Sequence, residues 1–192
     1  MSTAKTIVIL NGSPRKNGNV VHMLKAVAEG ASNKYEIKWF DVCYLNIQPC
    51  LGCMKCRPDK ECVLPEDDAL TVGRIIKEAS ALVVGTPTYW GNMSGPLKMF
   101  FDRNVPVFEY VDKGFPLPRQ KGKKAAVVTS CASPWPYSLI QSQAMGAVKA
   151  TNTILRSAGY RIIGSLILSN TMSHKNIPAK TLAKARMIGL RF

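Results

Sequence analysis

Thr6-Ile7-Val8-Ile9-Leu10 runs directly into Asn11-Gly12-Ser13-Pro14-Arg15-Lys16-Asn17-Gly18-Asn19, and an apolar helical stretch over residues 20–31 follows. An apolar run without polar alternation reads as a strand buried on both faces. Gly, Ser and Asn in the turn provide special backbone angles. A strand that delivers such a turn to a helix N-terminus presents free backbone N–H groups and the positive end of a helix dipole to an anion. The expected guest is a phosphate. Ser13, Asn17 and Asn19 offer neutral hydrogen bonds, with Gly18 between them, and Arg15 offers a charged fork suited to a terminal phosphate. The turn is not G-x-G-x-x-G and no Gly-Lys-Ser/Thr closes it, which counts against a Rossmann dinucleotide site and against ATP chemistry. The plainer alternative is an ordinary strand-to-helix turn.

Outward from this stretch, apolar runs recur at residues 35–40, 81–85, 125–129 and 160–168. Helical patterns lie between them. In the first, Val20, Val21, Leu24, Val27 and Ala28 form one face. Glu66-Asp67-Asp68 place negative charge at the start of the next, which runs to about residue 79. Ser94 is the expected cap and Pro96 the first turn of a third. Residues 138–157, closed by Gly159, form a fourth and 178–188 a fifth. Continuous apolar strands alternating with helices indicate an α/β domain, a doubly wound parallel sheet with helices on both faces. Residues 1–192 are expected to form one domain, with two irregular stretches, 45–65 and 104–121, as candidate site walls or partner surfaces.

The chain has 192 residues, 46% of them hydrophobic, a normal globular size. It carries 26 Lys and Arg against 12 Asp and Glu, a formal charge of +14 that favours anionic partners. No recognised nucleic-acid motif surrounds these charges, so a solvated basic face is expected rather than a nucleic-acid groove. No export signal and no run of ~18 apolar residues is present, so a soluble cytoplasmic protein without membrane attachment is expected.

A second ligand loop follows the third apolar run. Pro87, Thr88, Tyr89, Trp90, Gly91, Asn92 and Met93 lead into Ser94 and Gly95. In an open parallel sheet, ligands sit beyond the carboxyl ends of the strands where the order reverses. Tyr89 and Trp90 present flat apolar faces, and Gly91 and Asn92 present donors for the edge of a planar heterocycle. Opposite a phosphate loop, this points to a phosphate-bearing planar cofactor, most simply FMN. The alternative is a turn whose aromatics pack in the core.

Gly12 to Asn19, together with Pro87-Thr88-Tyr89-Trp90-Gly91-Asn92-Met93-Ser94-Gly95-Pro96-Leu97-Lys98 and Phe101-Asp102-Arg103, resembles the NAD(P)H-dependent FMN reductase superfamily. The resemblance implies a flavodoxin-like five-stranded sheet of order 2-1-3-4-5. It implies that Ser13, Arg15, Asn17, Gly18 and Asn19 hold the FMN phosphate, and that residues 87–93 hold the ribityl chain and isoalloxazine edge. Family members often carry a Gly-rich turn after the fourth strand. Here that turn reads Thr129-Ser130-Cys131-Ala132-Ser133-Pro134-Trp135, leaving stacking and packing both open for Trp135.

Four of the six cysteines, Cys50, Cys53, Cys56 and Cys62, fall in one loop with spacing C-x2-C-x2-C-x5-C. Thiolates so spaced converge on one point, as in ferredoxin loops that wrap a [4Fe-4S] cube. The pattern resembles that of iron-sulfur flavoproteins, a branch of the same superfamily. Metal-free thiols in overlapping C-x2-C redox pairs and a zinc site are the alternatives. Cys43 reads as a small buried hydrophobe and Cys131 as a packing residue near the ligand. Neither His22 nor His174 has partners that point to catalysis.

The first functional expectation is an FMN oxidoreductase in which the flavin is the reactive group and no side-chain acid or base is required. A nicotinamide cofactor, NAD(P)H, would be the co-substrate, and the acceptor a quinone, flavin, nitro compound, metal ion or oxygen. The second is an iron-sulfur electron carrier taking electrons from ferredoxin. The family commonly forms dimers or tetramers, so a homodimer or homotetramer is expected, with residues 104–118 as the contact.

Overall fold

Apolar runs in the central strands are buried on both faces of the sheet, and this dictates the layering. The computed structural model describes residues 5–134, 136–140, 143–173 and 176–192. Strands β1 (Thr6–Asn11), β2 (Glu36–Asp41), β3 (Ala81–Pro87), β6 (Lys124–Ser130) and β7 (Arg161–Leu168) form a parallel sheet in the order β2-β1-β3-β6-β7. This is the expected doubly wound, flavodoxin-like sheet. Because successive side chains point to opposite faces, Ile7 and Ile9 enter one core and Val8 and Leu10 the other. Helices α1 (Asn19–Ala31) and α7 (Ala179–Leu190) cover the first face; α2 (Asp68–Glu78), α3 (Gly95–Arg103) and α6 (Gln143–Ser157) cover the second. The edge strands β2 and β7 are half-buried and admit Glu36, Lys38 and Arg161.

Residues 104–121 depart from the expected irregular loop. They contain a short helix α4 (Val105–Phe108) and an antiparallel hairpin of β4 (Glu109–Asp112) and β5 (Phe115–Pro118). Lys113 and Gly114 both take positive φ, 47° and 84°, the two-residue turn whose twist suits adjoining strands. The expected helix over 138–157 is represented by α5 (Tyr137–Ile140) and α6, with residues 141 and 142 outside the described residues. Residues 45–65 carry no helix or strand. Among the described residues, no helix is long and apolar enough to cross a membrane.

Candidate functional site

β1 and β3 are neighbours whose outgoing connections diverge, and the crevice beyond their carboxyl ends is where such sheets bind ligands. The loops after these strands meet there. Gly12 N–H donates 2.7 Å to Gly85 O, continuing the β1–β3 ladder by one bond. The Ser94 hydroxyl then donates 2.7 Å to Gly12 O. Ser94 stands at the N-cap of α3 as expected, yet its side chain does not cap that helix. It is spent on tying the two loops, while its own N–H donates to Thr86 Oγ1.

The first loop keeps its donors outward. Asn11 Oδ1 accepts Ser13 N–H, and Ser13 Oγ accepts Arg15 N–H at 3.2 Å, folding the turn around a buried Ser13. Arg15, Lys16 and Asn17 are exposed, and Gly18 and Asn19 half-buried. Gly18 is the N-cap of α1 and no side chain caps that helix, so among the described residues its first N–H groups have no side-chain acceptor. A Cβ on Gly18 would stand 3.0 Å from Arg15 Cβ, so glycine permits the tight return. Uncapped N–H groups beside exposed Arg15 form a donor set that fits a phosphate.

In the second loop, Pro87 ends β3 and Thr88 N–H donates to Ser130 O. Tyr89 and Asn92 exchange both backbone hydrogen bonds, at 3.0 and 2.9 Å, around a turn formed by Trp90 and Gly91. Both turn residues have positive φ, 52° and 70°. Left-handed backbone is strained for a bulky aromatic, and strain of this kind concentrates at ligand sites. Trp90 is 99% exposed, so no protein contact compensates for it. Tyr89 is exposed too, whereas Met93 is buried in the core and offers the site its backbone alone. The turn is seated on α6, where a Cβ on Gly146 would stand 1.9 Å from Gly91 O. A bare aromatic face beside a phosphate-type loop fits a planar cofactor such as FMN.

The third strand end is closed by backbone bonds from Cys131 N–H to Leu168 O and from Thr171 N–H to Cys131 O. Cys131 is buried. Trp135 and His174 lie outside the described residues.

Cys43 departs from its reading as a buried hydrophobe. It is half-exposed, burial and then Asp41 push its thiol pKa up, and Sγ donates 3.3 Å to Gly12 O. Tyr44 Oη also donates, at 2.7 Å, to Pro14 O. The segment leading to the cysteine loop is thereby fastened to the turn after β1.

Cys50, Cys53, Cys56 and Cys62 all line one concavity of about 500 Å³, counted to its open mouth, with Leu51, Met54, Val63, Leu64 and Val105 as apolar wall. All four are free thiols. Burial pushes the Cys56 thiol up against the pull of Arg57, and Cys62 and Cys50 act in the same direction as burial, which puts those sulfurs within electrostatic reach. Among the described residues, no three Cys, His, Asp or Glu side chains are closed to metal-binding geometry. The donor set, four thiols around one apolar-walled hollow, fits a thiolate-held iron-sulfur group.

The loop is anchored unevenly. Lys60 N–H donates to Cys56 O, Val111 N–H of β4 donates 2.8 Å to Pro58 O, Arg57 pairs with Glu109 at 2.6 Å, and Arg119 pairs with Asp59. Cys62 accepts from the buried Arg103. Arg103, Asp67, Ser94 and Cys43 escaped assignment as site residues because their roles depend on partners remote in sequence. The Phe101-Asp102-Arg103 run was visible, but no local signal marked Arg103 as buried.

Residues 5–166 match the family described as NADPH-dependent FMN reductase. An iron-sulfur flavoprotein of Clostridioides difficile (strain 630) is 27% identical over 189 residues, covering 97% of this chain and 77% of that protein. One from Methanocaldococcus jannaschii is 30% identical over 125 residues, covering 65% of this chain and 62% of that protein. The chain spans about half the length of the further iron-sulfur flavoproteins it matches. The solved NAD(P)H:quinone oxidoreductase from Methanothermobacter marburgensis shares the fold, with TM-score 0.76 and 21% identity over 97% of this chain and 98% of that one.

Proposed function

The chain belongs to the NADPH-dependent FMN reductase family, and we propose that it is an FMN oxidoreductase that oxidises NAD(P)H and reduces a small acceptor such as a quinone, flavin or nitro compound. The observation that carries this reading is the joining of the two loops through Gly12, Gly85 and Ser94 beside an uncapped α1 and a bare Trp90. FMN, when bound, supplies the hydride-accepting and electron-donating chemistry. The protein's part is binding and orientation. Ser13, Arg15, Asn17, Gly18 and Asn19 hold the phosphate, Arg15 by charge-assisted hydrogen bonds and the α1 N-terminus by its free donors. Thr88 to Asn92, with the backbone of Pro87 and Met93, hold the ring edge and ribityl chain. Trp90, exposed on its left-handed turn, would offer its face to a planar ring.

The cysteine loop extends the reading. Cys50, Cys53, Cys56 and Cys62 would hold a [4Fe-4S] cluster, which supplies one-electron transfer when bound. Four free thiols around one concavity, and the iron-sulfur flavoprotein relatives, support this. It also favours a second reading, in which electrons enter from a ferredoxin attracted by the +14 charge rather than from NAD(P)H. A second copy of the chain against the hairpin that exposes Phe115 belongs to either reading.

Anaerobic purification, with iron and acid-labile sulfide counted against FMN, tests the assignment. Flavin with about four irons and four sulfides per chain supports the cluster. Flavin alone supports a simple reductase with free thiols, and failure to bind flavin after reconstitution overturns the central reading. Steady NADH or NADPH oxidation with an artificial acceptor separates the reductase from the carrier, which would instead be reduced by ferredoxin.

A further inference from the structure

Arg103 is 1% exposed, and its three guanidinium nitrogens serve three different acceptors. Nε donates 3.1 Å to Asp67 Oδ2, Nη2 donates 2.8 Å to Pro65 O, and Nη1 donates to Cys62 Sγ. Asp67 is itself held in place. Its Oδ1 accepts Leu70 N–H as the cap of α2, and its Oδ2 also accepts Gln48 N–H at 3.0 Å. The guanidinium therefore has no room to swing toward water. Structural cohesion would be served by Asp67 and Pro65 alone; the third donor is aimed at a cysteine of the tetrad. A charge held away from solvent acts on its neighbours with little screening.

We propose that Arg103 is a positioning residue of the cysteine centre, whose fixed positive charge against the Cys62 sulfur sets the reduction potential of the cluster. The inference rests on the cluster reading above. Adding one electron makes a thiolate-held cluster more negative, so a nearby positive charge and an N–H donor to sulfur favour the reduced state and raise the potential. Asp67, one step further along the same chain of contacts, acts with the opposite sign and tempers Arg103.

The test compares wild type, Arg103→Gln, Asp67→Asn and the double variant, purified anaerobically and counted for iron, sulfide and FMN. The cluster midpoint is read by potentiometry with dithionite and mediator dyes. The expected result is equal loading, a lower midpoint for Arg103→Gln, a higher one for Asp67→Asn, and a double variant between them. Loosening of the loop would move both single variants the same way, whereas removal of opposite charges moves them apart. If Arg103→Gln leaves Asp67 stranded and fails to fold, the double variant set against Asp67→Asn makes the same comparison. Loaded variants with wild-type midpoints, or shifts of one sign, overturn the inference and leave the cluster reading standing. Wild-type protein with FMN but without iron or sulfide overturns the cluster reading, and the inference falls with it.

Discussion

Ser94 Oγ donates a 2.7 Å hydrogen bond to the carbonyl oxygen of Gly12, across 82 residues of chain, and so ties the loop after β3 to the loop after β1. The same carbonyl also accepts Cys43 Sγ, at 3.3 Å. Ser94→Ala leaves that weaker donor in place. It should cost about 1 kcal/mol of stability, with FMN affinity falling roughly fivefold as the loops lose their mutual register. Urea unfolding and flavin fluorescence measure the two effects; unchanged FMN affinity would show that the loops bind independently.

Arg15 is exposed in the turn between β1 and α1, the proposed site of the FMN phosphate. Charge-assisted hydrogen bonds of the kind assigned to it contribute about 1.5–3 kcal/mol, so Arg15→Ala should weaken FMN roughly tenfold to a hundredfold. Riboflavin lacks the phosphate and should bind wild type and variant alike. Equal losses for both ligands would remove Arg15 from the phosphate site.

Trp90 has φ 52° and is 99% exposed, so its backbone is strained and its ring gains nothing from the rest of the protein. Trp90→Gly should stabilise the flavin-free protein by up to about 1 kcal/mol, because glycine occupies this region without the Cβ clash. FMN affinity should fall at the same time. A less stable flavin-free variant would mean that the ring packs, and that its exposure has no bearing on ligand binding.

Tyr160 on the way into β7 is buried, and burial alone pushes its phenol pKa far above the usual 10.0. The folded state therefore keeps a proton that the unfolded chain releases. Its contribution is fully present below pH 10 and declines as pH rises above that value. Tyr160→Phe should be near neutral at pH 7 and flatten the alkaline loss of stability, as followed by circular dichroism; identical alkaline profiles would contradict this.

Where the chain's own pattern sufficed, a short apolar run was enough. Ile7 to Leu10, Leu82 to Val84 and Ala125 to Val128 are buried to within a few per cent because both sheet faces are covered, and that burial is written residue by residue. The edge strands were legible too, though their polar positions carry less signal. The β4–β5 hairpin was not. Phe115-Pro116-Leu117-Pro118 lacks strand composition, and the hairpin is held by bonds to the distant loop at Pro58 and Arg57. Likewise, Ser94 before Gly95-Pro96 reads as a helix cap, and only the approach of Gly12 claims its hydroxyl.

The sequence by itself determined the alternation of apolar strands with helices, the Gly/Ser/Asn-rich turn after β1, the aromatic run after β3 and the cysteine spacing, since each depends on residues that are neighbours along the chain. Tertiary structure alone decided that Cys43 and Ser94 share one carbonyl, that Trp90 stands bare on a left-handed turn, and that Arg103 is buried against Cys62. A hydrogen bond or a desolvated charge requires two groups brought together by the fold. No local periodicity records which distant partner will arrive.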